Sequence, residues 1–254
     1  MTAFKDQAVC IGARNYSETS QIVTLFGRST GCIRAIAKGS RRRRAKFGGG
    51  IDLLTAGDVV VFAARTASSL ALLSEFELTE PFTGLRKQML NLYCAQYAAE
   101  MIAEFTEDFD PHEKLFDAFY QALKNLSQHE RPELTLLSLE LILLQEVGLA
   151  PSWHNCTVCS GPLAPDHRAY FSSSNGGVLC RDCEPGMMEK RVIKPAALKI
   201  LQNPQTAETV PPHVVVDAHE LLSYHQRELL GRQTKTMTFV NQLLREQLAS
   251  PGKV

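Results

Sequence analysis

The stretch QAVCIGARNYSETSQIVTLFGRSTGCIRAIA, residues 7–37, decides the fold of the N-terminal part of the chain. It holds three short runs rich in valine and isoleucine: Gln7–Ala13, Gln21–Phe26 and Cys32–Ala37. Turn formers separate them, Asn15–Thr19 after the first and Arg28–Gly31 after the second. β-Branched side chains are stiff at χ1 and pack well on a pleated surface, so such runs between turn signals read as strands. Two more follow at Asp58–Ala64 and Leu70–Phe76, joined by a turn at Thr66–Ser69. Five short strands at this spacing fit a small all-β barrel of the OB type. Periodicity alone leaves an SH3-like barrel open.

Past Pro81 the apolar period becomes helical. Leu85, Met89, Leu92, Tyr93, Tyr97, Met101 and Phe105 keep that spacing. A second helix is predicted from Pro111 to Leu126, presenting Leu115, Phe116, Phe119 and Leu123. A third starts at Pro132 and stops at Gly148, since proline suits a first turn and glycine a helix end. It carries leucine on every side, which predicts the buried centre of a helical bundle. Residues 153–185 lose periodicity and gain Cys, Gly, Ser and Pro, and helical signals resume after Pro195, in Ala218–Leu230 and in Met237–Leu248. The expected architecture is α+β and multidomain, with an OB-type barrel over residues 1–80 and a helical domain over 81–254. A cysteine module is inserted in the latter at about 153–185.

Of seven cysteines, four form two C-x-x-C pairs, Cys156/Cys159 and Cys180/Cys183, with twenty residues between the pairs. That is zinc-ribbon spacing: each pair sits on a tight turn that aims two thiolates at one ion, and two turns complete a tetrahedron. Gly161 supplies a permissive backbone after the first pair, and Gly176 and Gly177 turn the hairpin between them. One structural Zn2+ per chain is therefore expected. His154 and His167 lie near enough to be alternative ligands. Four thiolates leave no open position on the metal, which argues against catalysis there. The zinc-deaminase signature is missing too, because no His-x-Glu occurs and no proline precedes either pair. No catalytic residue is assigned, and no enzymatic activity is expected. Cys10, Cys32 and Cys94 stand singly in apolar surroundings and read as small core residues.

Charge is neutral overall but unevenly spread. Residues 1–50 hold ten Lys/Arg against two Asp/Glu, and residues 81–150 hold five against eleven. The basic excess peaks in Lys38-Gly39-Ser40-Arg41-Arg42-Arg43-Arg44-Ala45-Lys46, followed by Phe47 and three glycines. Guanidinium forks match phosphate oxygens, and clustering raises the potential that draws a polyanion. The expected nucleic-acid contacts are Arg14, Arg34 and Lys38 on the barrel with Arg41, Arg42, Arg43, Arg44 and Lys46 in the loop. Phe47 is either a base-stacking platform or a core anchor for the loop's end. Phosphate contacts carry no base information, so sequence-specific readout is not implied. The first ten residues lack the pattern of a secretory signal, and the most apolar stretch, Leu134–Leu144, is too short to span a bilayer.

In order along the chain, Arg14-Asn15-Tyr16-Ser17-Glu18-Thr19, Ile22–Phe26, Gly31, Ala37-Lys38-Gly39, Phe47-Gly48, Leu139-Glu140, Gly148–Pro151 and Cys156-x2-Cys159-Ser160-Gly161 resemble the bacterial recombination mediator family RecO over nearly its whole length. The resemblance implies an N-terminal OB-fold, a helical C-terminal domain and no catalytic turnover. It implies binding to single- and double-stranded DNA and annealing of complementary strands. It also implies action with RecR and with the C-terminal tail of the single-stranded-DNA-binding protein SSB, and a functional link to RecA and RecF in recombinational DNA repair. A bacterial cytoplasmic, nucleoid-associated location follows from the same resemblance. Four successive arginines are denser than the family's usual mixed basic loop. For the SSB tail, Arg227 and Arg232 are among several cations that could receive its carboxylate.

The competing reading is an RNA-binding or translation-associated factor, since OB barrels and zinc ribbons serve there too. Competition between DNA and RNA oligomers separates the two.

Overall fold

A computed structural model describes residues 3–42, 47, 49–62, 70–163 and 168–249. By backbone proximity the chain forms two compact units, Met1–Glu130 and Arg131–Val254.

In the first unit, β1 (Ala3–Asn15), β2 (Gln21–Gly27), β3 (Gly31–Ala37), β4 (Ala56–Phe62) and β5 (Ala71–Glu80) close a barrel in the order β1-β2-β3-β5-β4. The five strands are the expected ones. β1 begins earlier than its Val/Ile run because Ala3–Val9 pair with β4. The expected Thr66–Ser69 turn lies outside the described residues. Val23, Leu25, Ile33, Ala35, Val59, Val61, Leu73 and Phe76 fill the barrel. β1 is irregular between Cys10 and Gly12, which bends the longest strand around the barrel.

α1 (Met89–Phe105) and α2 (Glu113–Ser127) belong to the same compact unit as the barrel. Aromatic packing explains the association: Phe26 of β2 meets Phe116 and Phe119 of α2 at centroid distances of 5.9 and 6.3 Å. α1 starts at Met89 rather than Leu85, because Thr83–Lys87 form a tight 3-10 turn. Gly84 lies so close to the end of α2 that a β-carbon there would sit 1.9 Å from the Ser127 carbonyl oxygen.

The second unit holds α3 (Pro132–Glu146), α4 (Pro195–Gln202), α5 (Pro212–Leu230) and α6 (Met237–Ala249). Pro212 opens α5 six residues before the predicted start, at the first-turn position where a proline lacks nothing. Between α3 and α4 lies a three-stranded sheet, β7-β6-β8, made of β6 (Ala169–Ser172), β7 (Gly177–Leu179) and β8 (Arg191–Ile193). One core joins sheet and helices: Leu137 and Leu144 of α3, Phe171, Val178 and Ile193 of the sheet, and Val215 and Leu222 of α5. Trp153 stacks on Phe171 at 5.2 Å. The cysteine module is thus packed into the helical core. α3 is buried as its leucines imply, yet two carboxylates, Glu133 and Glu140, are buried with it. Among the described residues, no helix is long and apolar enough to cross a membrane.

Candidate nucleic-acid interface and metal centre

Strand register sorts the barrel's exterior into rows. Arg14 pairs with Ile22, Ile22 with Ile36, Ile36 with Leu72, and Leu72 with Phe62. Residues two apart on a strand share a face, so the next row is Gly12, Thr24 and Arg34. On the other side, Tyr16 N–H donates to the Ser20 carbonyl at 2.9 Å, and Lys38 follows two residues beyond Ile36. Ile22, Ile36, Leu72 and Phe62 are half-buried, whereas Arg14, Arg34 and Lys38 are exposed. An apolar stripe edged by cations results. Such a surface can offer base faces the stripe and phosphates the edges.

Arg34 also has a partner inside its own unit. Its guanidinium donates to Asp108 Oδ2 from Nε at 3.0 Å and from Nη2 at 2.6 Å. The segment carrying Asp108 lies along β3, where Phe109 N–H donates to the Cys32 carbonyl at 2.9 Å.

The basic loop springs from a clamp that the sequence reading missed. Gln21 is buried at the start of β2, and its Oε1 accepts from Ser40 Oγ and from Ile51 N–H, both at 2.9 Å. Its Nε2 donates to the Ile51 carbonyl at 3.1 Å. One amide therefore holds the entry and the exit of the loop together. The only sequence hint is a glutamine at the head of a Val/Ile run. Phe47 is half-buried against the barrel core, the anchoring role of the two considered for it. Arg41 and Arg42 are exposed. Arg43, Arg44 and Lys46 lie outside the described residues.

In the second unit the sulfurs of Cys156, Cys159, Cys180 and Cys183 all lie within 4.8 Å of one another. Two turns aim them: Ser160 N–H donates to the Cys156 carbonyl at 2.8 Å, and Glu184 N–H to the Cys180 carbonyl at 3.1 Å. The left-handed residue of the first turn is Ser160, φ 58°, directly before Gly161. Gly161 runs close past Cys159, where a β-carbon would come 3.4 Å from Sγ. Gly176 and Gly177, at φ 69° and 159°, turn the β6–β7 hairpin as expected.

This geometry fits a tetrahedral metal. Ligand bonds of about 2.3 Å at tetrahedral angles put sulfurs ~3.8 Å apart, and Cys159 Sγ and Cys180 Sγ are 3.8 Å apart. Ionisation is uneven among the thiols. Burial opposes it at Cys156, but backbone N–H groups of Cys159, Cys180 and Val158 draw that thiol down to about 6. Cys183 is pushed up to about 12 by its hydrogen bond to Cys180, by burial and by the other two sulfurs. Four thiolates this close repel one another, and a divalent cation removes that repulsion. The cluster can hold a metal ion. Among the described residues His154 is not part of it, and His167 lies outside them.

Two family descriptions match most of the chain: Recombination protein O N terminal over residues 1–82, and Recombination protein O C terminal over residues 86–238. The chain belongs to the RecO family. The DNA repair protein RecO of Rhodopirellula baltica is 32% identical over 209 residues, covering 82% of this chain and 77% of that protein. That of Myxococcus xanthus is 29% identical over 245 residues, covering 96% and 99%. That of an Anaeromyxobacter species is 31% identical over 241 residues, covering 91% and 93%. The two RecO family descriptions meet just past β5, between residues 82 and 86, while the compact units divide at 130/131.

Proposed function

We propose that the chain is a DNA-binding recombination mediator that anneals complementary single strands and helps load RecA on SSB-covered DNA. The observation that carries this reading is the cation-edged apolar stripe on the barrel of a RecO-family chain, beside a basic loop clamped at its root. Arg14, Lys38, Arg41, Arg42, Arg43, Arg44 and Lys46 would take phosphates, and Arg34 would do so once released from Asp108. Annealing brings two polyanions together, so the protein must screen their repulsion while holding bases loosely enough to pair. A basic surface does this without a nucleophile or a general base, and no catalytic turnover is proposed.

Zinc is the metal proposed for the cysteine cluster, held by Cys156, Cys159, Cys180 and Cys183. It would supply a structural cross-link between the two turns. The proposed partners are single- and double-stranded DNA, RecR and the SSB tail, with links to RecA and RecF, in the bacterial cytoplasm at the nucleoid. Arg227 and Arg232 remain candidates for the tail's carboxylate. The Arg227 guanidinium lies over the Tyr224 ring at 5.1 Å and bonds Glu228.

The deciding experiment is strand annealing with complementary oligomers covered by SSB. The chain should speed duplex formation, and DNA should compete with RNA of the same sequence at least equally. Failure to anneal, or a clear preference for RNA, would turn the assignment toward the RNA-binding class.

A further inference from the structure

We infer that Tyr16 is a stacking site for an unpaired nucleobase, which gives the barrel a preference for single strands. The inference rests on the proposed nucleic-acid reading of the barrel face. Tyr16 lies in the β1–β2 connection with 64% of its surface exposed. Among the described aromatic residues of the barrel, it alone is mainly exposed, since Phe26 and Phe76 are buried and Phe4 and Phe62 are half-buried. Its hydroxyl has no protein partner among the described residues.

Exposure alone would mean little on a floppy loop, but this loop is braced. Tyr16 N–H donates to the Ser20 carbonyl at 2.9 Å, and Ser17 N–H to the same oxygen at 3.2 Å. Ser20 N–H returns a bond to Ser17 Oγ at 3.2 Å. The root of the basic loop holds the same turn from the other side. Gly39 N–H donates to Ser20 Oγ at 3.1 Å, and Arg41 N–H to the Thr19 carbonyl at 3.1 Å. The ring thus stands two residues from Arg14, on a turn bonded directly to the backbone of Arg41. A π-face fixed among cations is the arrangement that holds a base while its flanking phosphates are neutralised, and it tolerates any base. A base must leave its duplex to lie on the ring. Tyr16 therefore discriminates between single and paired strands, which the phosphate contacts by themselves do not.

The test compares wild type, Tyr16→Ala and Tyr16→Phe, using a single-stranded oligomer containing 2-aminopurine and the matching duplex. Tyr16→Ala should weaken single-strand binding about tenfold, leave duplex binding within twofold, and keep the salt dependence of both. Quenching of 2-aminopurine by the protein should fall with it. Tyr16→Phe should retain affinity and quenching, because the ring and not the hydroxyl acts. Equal single-strand affinity and quenching in Tyr16→Ala would overturn the inference, as would a Tyr16→Phe loss as large as that of alanine. A wild type that binds neither polymer would overturn the nucleic-acid reading itself. Normal wild-type binding with an inert Tyr16 would overturn only this assignment.

Discussion

Arg34 on β3 is held by Asp108 of the α1–α2 connection, its Nε and Nη2 meeting one carboxylate oxygen at 3.0 and 2.6 Å. The side chains are 63% and 38% exposed. An ion pair that wet contributes on the order of 0–1 kcal/mol. A phosphate can therefore compete with Asp108 for the guanidinium. Asp108→Asn should leave stability nearly unchanged and strengthen DNA binding, because it removes a negative charge that rivals the ligand. Each phosphate contact adds about 0.7–0.9 to the slope of log K against log salt. A salt titration of the variant should show a slope steeper by roughly that amount. An unchanged slope would put Arg34 outside the DNA footprint.

The conformation of the acidic segment depends on Gly31, which lies at φ 70°. A β-carbon there would sit 2.1 Å from the Asp110 carbonyl oxygen. Gly31→Ala must therefore accept a left-handed backbone at about 1–2 kcal/mol and also push the segment off β3. A fall of several degrees in the melting temperature is expected. An alanine variant as stable as wild type would refute the close approach.

His219 is fully buried between two acceptors, Glu140 Oε2 at 2.8 Å from Nδ1 and Asn241 Oδ1 at 2.9 Å from Nε2. With acceptors at both nitrogens, the arrangement favours the doubly protonated ring. Burial opposes that charge, but the Glu140 carboxylate, helped by Asn241 and Glu220, raises the His219 pKa above its ordinary value. A raised folded pKa gives stability that is full below the unfolded value of about 6.5 and is lost as pH rises through the folded one. His225 acts in the opposite sense, since burial lowers its pKa and its contribution is lost below ~6.5. Urea melts of the second unit should therefore weaken from pH 6.5 upward. His219→Leu should cost about 3–5 kcal/mol by removing one member of a buried ion pair, and the double variant with Glu140→Leu should recover much of that and flatten the alkaline decline. A single variant no worse than the double would show that the pair is not ionised.

The strands, the helices and the cysteine cluster were legible in the sequence because each is carried by local pattern: β-branched runs, helical spacing and paired C-x-x-C turns. What was not legible depends on long-range register. Nothing near Gln21 announces that its amide joins Ser40 to Ile51, and nothing near Asp108 announces that it pairs with Arg34, 74 residues away. The packing of the first two helices shows the same limit. Helical periodicity begins past Pro81, but whether a helix joins the barrel is decided by Phe26 meeting Phe116 and Phe119, a contact between distant segments. Nor does the sequence single out Ser160 as the left-handed residue of the first cysteine turn, since glycine is the usual choice there.

Folded protein washed with a mild chelator should retain about one zinc per chain by elemental analysis. Cys159→Ser removes the one exposed cysteine of the four and should lower the zinc content and the melting temperature of the second unit. The core around Phe171 and Leu222 should keep that unit from unfolding outright. Salt-dependent DNA binding through the barrel should persist. Loss of DNA binding together with zinc would assign the cysteine module to the DNA site, and a folded protein with two disulfides and no metal would rule the metal out.

The arginine loop gives the prediction with the largest expected signal. If Arg41, Arg42, Arg43 and Arg44 each neutralise a phosphate, replacing all four with alanine removes four counterion-release contributions of about 0.7–0.9 each, flattening the slope by roughly 3. Because phosphates carry no base identity, affinity should fall by a similar factor for unrelated sequences. Stability should barely change, since the substitutions leave Gln21 at the loop's root and Phe47 against the core in place. Gln21→Ala is the complementary variant. It leaves every cation in place and unties the loop's two ends, so the salt slope should persist while affinity falls and the melting temperature drops. The two variants thus separate charge from placement. A slope change near 1 in the quadruple alanine variant would mean that most of these arginines stay in the counterion atmosphere. An unchanged slope and affinity would remove the loop from the interface and leave Arg14, Arg34 and Lys38 to account for binding.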